Sequence, residues 1–219
     1  MEMVGQLGNR TALLVLHSTR GAGGAARLTG EYIVMPALQR RFVDGESSPE
    51  IGVTSLREGT TPILFGREPT GELRGTLRGG TFKGIRYGPG GQERERFEFS
   101  EEFPAMSGYN ANVRCEARDG AYASSLGYVA EAGRIKSLEW RSTLTPSGQR
   151  CTIAAGEQRP FKGGLQLVSG RCVVTLRDVG EYVRVAAENC TELCGSQAYL
   201  EPLLIDKRGA CRFLRPETR

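Results

Sequence analysis

Leu73-Arg74-Gly75-Thr76-Leu77-Arg78-Gly79-Gly80-Thr81-Phe82-Lys83-Gly84-Ile85-Arg86-Tyr87 is the stretch that decides the fold class. Two short segments of period-two character flank a Gly-Gly pair, which is a hairpin signal. Leu73 and Leu77 share one face, and Arg74 and Arg78 face solvent on the other. The alternation weakens in the second segment, where Lys83 falls on the same face as Ile85 and Tyr87. Downstream, Gly88-Pro89-Gly90-Gly91 turns the chain again and Phe97-Glu98-Phe99 resumes the alternation. The whole reads as an antiparallel meander.

The same grammar extends outward. Leu28 to Met35 is a strand ended by Pro36, residues 37–50 are polar with Asp44-Gly45 as a turn signal, and 51–53 and 63–65 are short apolar runs. Ala105-Met106-Ser107-Gly108-Tyr109 echoes Thr81-Phe82-Lys83-Gly84-Ile85, as expected when one hairpin type is reused with glycine where a strand bends. Beyond Ser107, strands are expected at 109–115, 122–129, 134–140, 151–153, 165–168, 172–176, 182–186, 203–205 and 211–213. One helical turn fits within 187–194. The 30 glycines among 219 residues agree, since glycine is costly in helices and cheap in turns. The expectation is an all-β chain of antiparallel meanders, a small barrel or sandwich, in two subdomains of residues 27–106 and 107–215.

Residues 1–26 carry a second reading. Thr11-Ala12-Leu13-Leu14-Val15-Leu16, followed by the small residues of 21–26, resembles a degenerate signal peptide. The alternative is a first strand followed by a flexible Gly/Ala loop. No stretch is apolar for the length of a membrane span. The formal net charge of +4 is spread along the chain. It suits weak attraction to an anionic surface and lacks the clustered footprint of a nucleic-acid binder.

Cys115, Cys151, Cys172, Cys190, Cys194 and Cys211 all lie in the second half. An even count among short strands points to disulfides and an oxidising address, periplasmic or secreted. Zinc is the rival, but Cys190 and Cys194 have no second close pair to complete a usual structural site. Cys172 and Cys190 flank a hairpin turning at 178–180, which favours Cys172–Cys190 with Cys115–Cys151 and Cys194–Cys211. Cys172–Cys211 with Cys190–Cys194 is a nested alternative among the roughly 15 connectivities that six cysteines allow.

Recognisable catalytic constellations are missing. His17 is the only histidine, so Ser–His–Asp and Cys–His machinery has no base. No phosphate-cradling glycine loop is present, and bridged cysteines leave no thiolate. Paired carboxylates such as Glu101 with Glu102, or Asp178 with Glu181, are the remaining enzymatic option. The chain is expected to bind rather than catalyse, without cofactor or metal.

Residues 109–163 resemble the membrane-bound and periplasmic inhibitors of c-type lysozyme. Val113-Arg114-Cys115, followed by Asp119-Gly120, is similar to that family's aromatic-x-cysteine opening strand, with valine in the aromatic place. Ser147-Gly148-Gln149-Arg150-Cys151 stands where Ser-Gly-x-x-Tyr is found, with cysteine for tyrosine. Phe161-Lys162-Gly163 stands near Trp-x-Lys-Gly. The resemblance implies a β-barrel of the bacterial envelope that offers Ser147, Gly148, Arg150, Lys162 and Gly163 to the acidic cleft of a lysozyme-like muramidase. A non-catalytic structural protein, or one holding a lipid or sugar, is the alternative.

Overall fold

The computed structural model describes residues 1–20, 25–48, 52–62, 68–154, 156–159, 161, 163–195, 200–208 and 210–214. It divides into two units, Met1–Phe103 and Pro104–Arg219. Nearly all regular structure is antiparallel strand, as the sequence led us to expect.

The first unit is a closed eight-stranded barrel: β1 (Glu2–Leu7), β2 (Arg10–Arg20), β3 (Ala26–Val34), β4 (Gln39–Ser48), β5 (Val53–Gly59), β6 (Gly71–Arg78), β7 (Thr81–Tyr87) and β8 (Glu93–Ser100). Each strand pairs with the next, and β8 closes on β1 with Gly5 opposite Phe99 and Leu7 opposite Phe97. Gly79 and Gly80 both have positive φ (58° and 72°), the conformation that a two-residue hairpin turn requires. Alternate side chains point inward, so Leu14, Tyr32, Leu56, Leu73, Phe82, Phe97 and Phe99 join one buried cluster. Eight strands leave room for side chains to fill such an interior.

On β7 the face that Lys83 shares with Ile85 and Tyr87 is the outer one. Phe82, Gly84 and Arg86 lie on the face turned inward. Register decides this, because Gly84 sits opposite both Gly75 of β6 and Phe97 of β8. A Cβ on Gly75 or Gly84 would meet the neighbouring strand's carbonyl oxygen at 2.1 Å, so only glycine permits the approach.

Two further expectations meet the structure in this unit. Residues 2–20 build β1 and β2, two of the barrel's staves, and Leu14 and Leu16 are fully buried in its core. The apolar run of 11–16 is therefore strand, as the alternative reading of the sequence had it, and residues 21–24 of the Gly/Ala loop lie outside the described residues. Asp44-Gly45 is strand interior rather than turn: Gly45 faces inward opposite Leu56, and Asp44 pairs outside with Arg57 at 3.0 Å. A turn dipeptide is overridden where closure needs a longer strand.

The second unit contains a four-stranded sheet in the order β12-β11-β10-β9 and a six-stranded sheet in the order β13 to β18. The first is made of β9 (Ala111–Arg118), β10 (Tyr122–Glu131), β11 (Arg134–Leu144) and β12 (Gln149–Ala154). The second is made of β13 (Glu157–Arg159), β14 (Leu165–Ser169), β15 (Cys172–Val179), β16 (Tyr182–Glu188), β17 (Leu203–Asp206) and β18 (Cys211–Phe213). Both sheets feed one core around the fully buried Trp140, whose Nε1 donates to Ser124 Oγ at 2.8 Å. The expected helical turn is α1 (Thr191–Cys194).

All six cysteines are bridged, as Cys115–Cys211, Cys151–Cys194 and Cys172–Cys190. The hairpin pair is the one favoured from sequence, and the other two bridges differ. Cys115 and Cys151 lie on strands at opposite edges of one sheet, with β10 and β11 between them. Three strand spacings amount to about 14 Å, well beyond disulfide reach. Each therefore finds a partner outside its own sheet.

Candidate functional site

The central strand β10 decides the outer surface of the four-stranded sheet. Its inward residues include Leu126 and Tyr128, which belong to the core, while Ala123, Ser125 and Gly127 point outward. Small outward residues between neighbours with long ones leave a trough along the strand. Register places the walls: Arg118, Ala123, Thr143 and Arg150 form one cross-strand row, and Glu116, Ser125, Arg141 and Thr152 the next. Arg114, Gly127 and Glu139 form a third. Two contiguous hollows of about 530 and 780 Å³ share Glu116, Ser125 and Arg141 in their linings.

Four arginines and two glutamates thus border the trough. Arg118 pairs with Glu116 at 3.3 Å, and Arg141 donates to Glu139 from its own strand. Both pairs are exposed and contribute little to stability. Arg114 and Arg150 have no ion pair among the described residues. The net bias is positive and the floor is small and polar, an arrangement that accepts an extended acidic segment without an apolar anchor.

The structure separates the residues singled out from sequence. Ser147 and Gly148 form the β11–β12 turn, where Gly148 has φ 67° and its N–H donates to Leu144 O at 2.8 Å. Ser147 Oγ accepts from the Gln149 N–H at 3.3 Å. Arg150 leads from this turn into the trough. Gly163 lies at the other end of the sheet, in a cleft of about 640 Å³ with Met106, Gly133, Arg134 and Phe161. Gln158 ties that end together, accepting from Ile135 N and donating to Gly133 O. Phe161 lies beneath the Arg177 guanidinium, 5.3 Å from ring centroid to carbon. Lys162 lies outside the described residues. The length of β11, about 30 Å at strand rise, stands between Ser147 and Gly163.

The sequence reading missed the trough, although it carries a signal. In Tyr122-Ala123-Ser124-Ser125-Leu126-Gly127-Tyr128-Val129, one alternation is large and apolar at 126 and 128 while the other is small at 123, 125 and 127. A strand whose outer face is small, next to one reading Arg114, Glu116 and Arg118, is a groove written in period two.

A buried network of titratable groups lies elsewhere, inside the barrel. Glu58 is fully buried and accepts from Arg86 Nε at 2.7 Å, Arg86 Nη2 at 2.8 Å and Tyr32 Oη at 2.5 Å. Arg86 also reaches Glu95, which Arg10 grips at 2.9 Å through both carboxylate oxygens. Burial pushes the Glu58 carboxyl up, but the hydrogen bonds from Arg86 and Tyr32 outweigh it and hold its pKa below the usual value. Burial, and then the Glu58 charge, push the Tyr32 phenol well above its usual range. With its carboxylates matched by guanidinium and phenol donors, the network is a polar plug closing one end of the barrel.

Comparison with family models, with curated proteins and with solved structures finds no match to this chain.

Proposed function

We propose that this is a non-catalytic binding protein of an oxidising, extracytoplasmic compartment that docks an acidic protein segment along the β9–β12 trough. The observation that carries the reading is the cross-strand row in which Arg118 and Arg150 flank Ala123 and Thr143, continued by Arg141 and Arg114 on either side of the small strand. Three disulfides support the compartment, since they persist where thiols are not kept reduced. A lysozyme-like muramidase of the bacterial envelope is the first partner to test. The mode differs from the one the family resemblance implies. Ser147 and Gly163 stand at opposite ends of β11, so the two loops do not enter one cleft side by side. The β11–β12 turn acts instead with Arg150 and the trough.

The rival reading, a lipid or sugar held by the barrel, draws less support, since among the described residues inward side chains such as Leu14, Tyr32, Phe82 and Phe99 pack into one cluster.

Lysis of a cell-wall suspension by c-type lysozyme, followed by turbidity with the oxidised protein titrated in, tests the proposal. We expect inhibition at micromolar protein, weakened at least tenfold by Arg118→Glu with Arg150→Glu and by Gly127→Arg. No inhibition at that concentration removes the muramidase. Inhibition unaltered in these variants removes the trough.

A further inference from the structure

The outer wall of the barrel carries a second groove, unrelated to the trough. It is about 730 Å³ and runs over β6, β7 and β8 where the Gly75–Gly84 pair brings the two backbones close. Its floor is Ile85. Register puts Ile85 between Arg74 on β6 and Arg96 on β8. Tyr87 continues the floor under the Arg74 guanidinium, 5.3 Å away, and Val53, 41% exposed, adds a further apolar edge. Lys83 stands above, opposite Glu98.

The rim has three cations against one carboxylate. Arg74 is partly committed, since it pairs with Glu72 at 2.8 Å. Lys83 and Arg96 have no ion pair among the described residues. An apolar floor within an otherwise charged wall, bordered by uncommitted cations, is complementary to a molecule with an oily body and an anionic end. A free inorganic anion would leave the floor wet, and a neutral chain would leave the cations unused.

We infer that the Ile85 groove binds a single-chain amphiphile with a phosphate headgroup, the chain lying over Ile85 and Tyr87 and the phosphate taken by Arg96 and Lys83. Calorimetric titration with monomeric dodecyl phosphate, below its micelle concentration, tests this. Inorganic phosphate and dodecyl maltoside serve as the arms that isolate charge and chain. One-to-one binding of dodecyl phosphate is expected, with the maltoside at least tenfold weaker and no displacement by tenfold excess phosphate. Arg96→Ala with Lys83→Ala should weaken binding at least tenfold. Ile85→Asp should abolish it while the melting temperature and the hydrogen-exchange protection of the barrel strands stay unchanged. If the maltoside binds equally well, the groove is merely sticky; if phosphate displaces the ligand, only an anion is recognised. Either result overturns the assignment, as does full binding by the variants or none by the native protein.

Discussion

The first unit contains no cysteine and the second contains six, and the two deal with their sheet edges accordingly. In the barrel, β8 pairs with β1, so no edge remains and closure is spread over every ladder. In the second unit, both sheets are open. Cys115–Cys211 joins edge strand β9 to edge strand β18, and Cys151–Cys194 ties edge strand β12 to α1. Hydrogen-bonded closure is distributed and indifferent to redox state. Covalent closure is concentrated in a few bonds that a reductant can remove.

Reduction should therefore break the comparison most visibly. A native disulfide in a small domain contributes roughly 2–5 kcal/mol, and all three serve one unit. Trp140 is the only tryptophan and sits in that unit's core, so its emission reports the second unit alone. Dithiothreitol should shift the denaturation midpoint seen by Trp140 strongly downward. Barrel amides followed by hydrogen exchange should keep their protection. Equal loss in both units would mean that their stabilities are not separately held.

The barrel's counterpart to the disulfides is Glu58. Glu58→Ala leaves Arg86 with Glu95 as its remaining carboxylate partner, and truncating one partner of a buried pair costs up to about 3–5 kcal/mol. We expect faster exchange in β3, β5 and β7 with the Trp140 signal unmoved. The pH dependence has a definite sign. Glu58 has a folded pKa below the ordinary 4.5, so its contribution is complete above that value and is lost as pH falls through the folded value. Glu31 runs oppositely, because burial raises its pKa against the lowering influence of Arg40. Glu58→Gln separates the two: barrel protection in the variant should fall less between pH 5 and pH 3 than in the native chain.

The all-β class and its antiparallel meanders were legible because period-two alternation and glycine turns are local signals. The face of β7 was not. Gly84 and Arg86 occupy inward positions that look polar or empty in sequence, and their partners, Gly75 and Glu58, lie on other strands. Two of the three favoured cysteine pairings failed for the same reason. Cys172–Cys190 is a hairpin contact, whereas Cys115–Cys211 depends on how two sheets stack. In the candidate site, Arg150 was singled out through a motif, and the trough it borders arises from four strands together. Ser147 and Gly163 are 16 residues apart in sequence by their numbering, and only the course of β11 shows that they sit at opposite ends of a sheet.

Two glycines give the finest version of the contrast. Gly84 faces the barrel interior with a carbonyl oxygen 2.1 Å from where a Cβ would lie, and that oxygen belongs to the Arg74 backbone. Gly127 lies on the trough floor, where the nearest atom to such a Cβ is 3.8 Å away. Gly84→Ala must push two hydrogen-bonded strands apart and should cost about 1–3 kcal/mol, as overpacking does. Gly127→Ala meets only ordinary contact and should change stability by about 0.5 kcal/mol or less. Urea midpoints of the two variants, with exchange assigning the loss to barrel or sandwich, check both. A tolerated Gly84→Ala would show that β6 and β7 need no glycine to pass so closely. A damaging Gly127→Ala would mean that the trough floor is packed rather than open, and the docking surface would go with it.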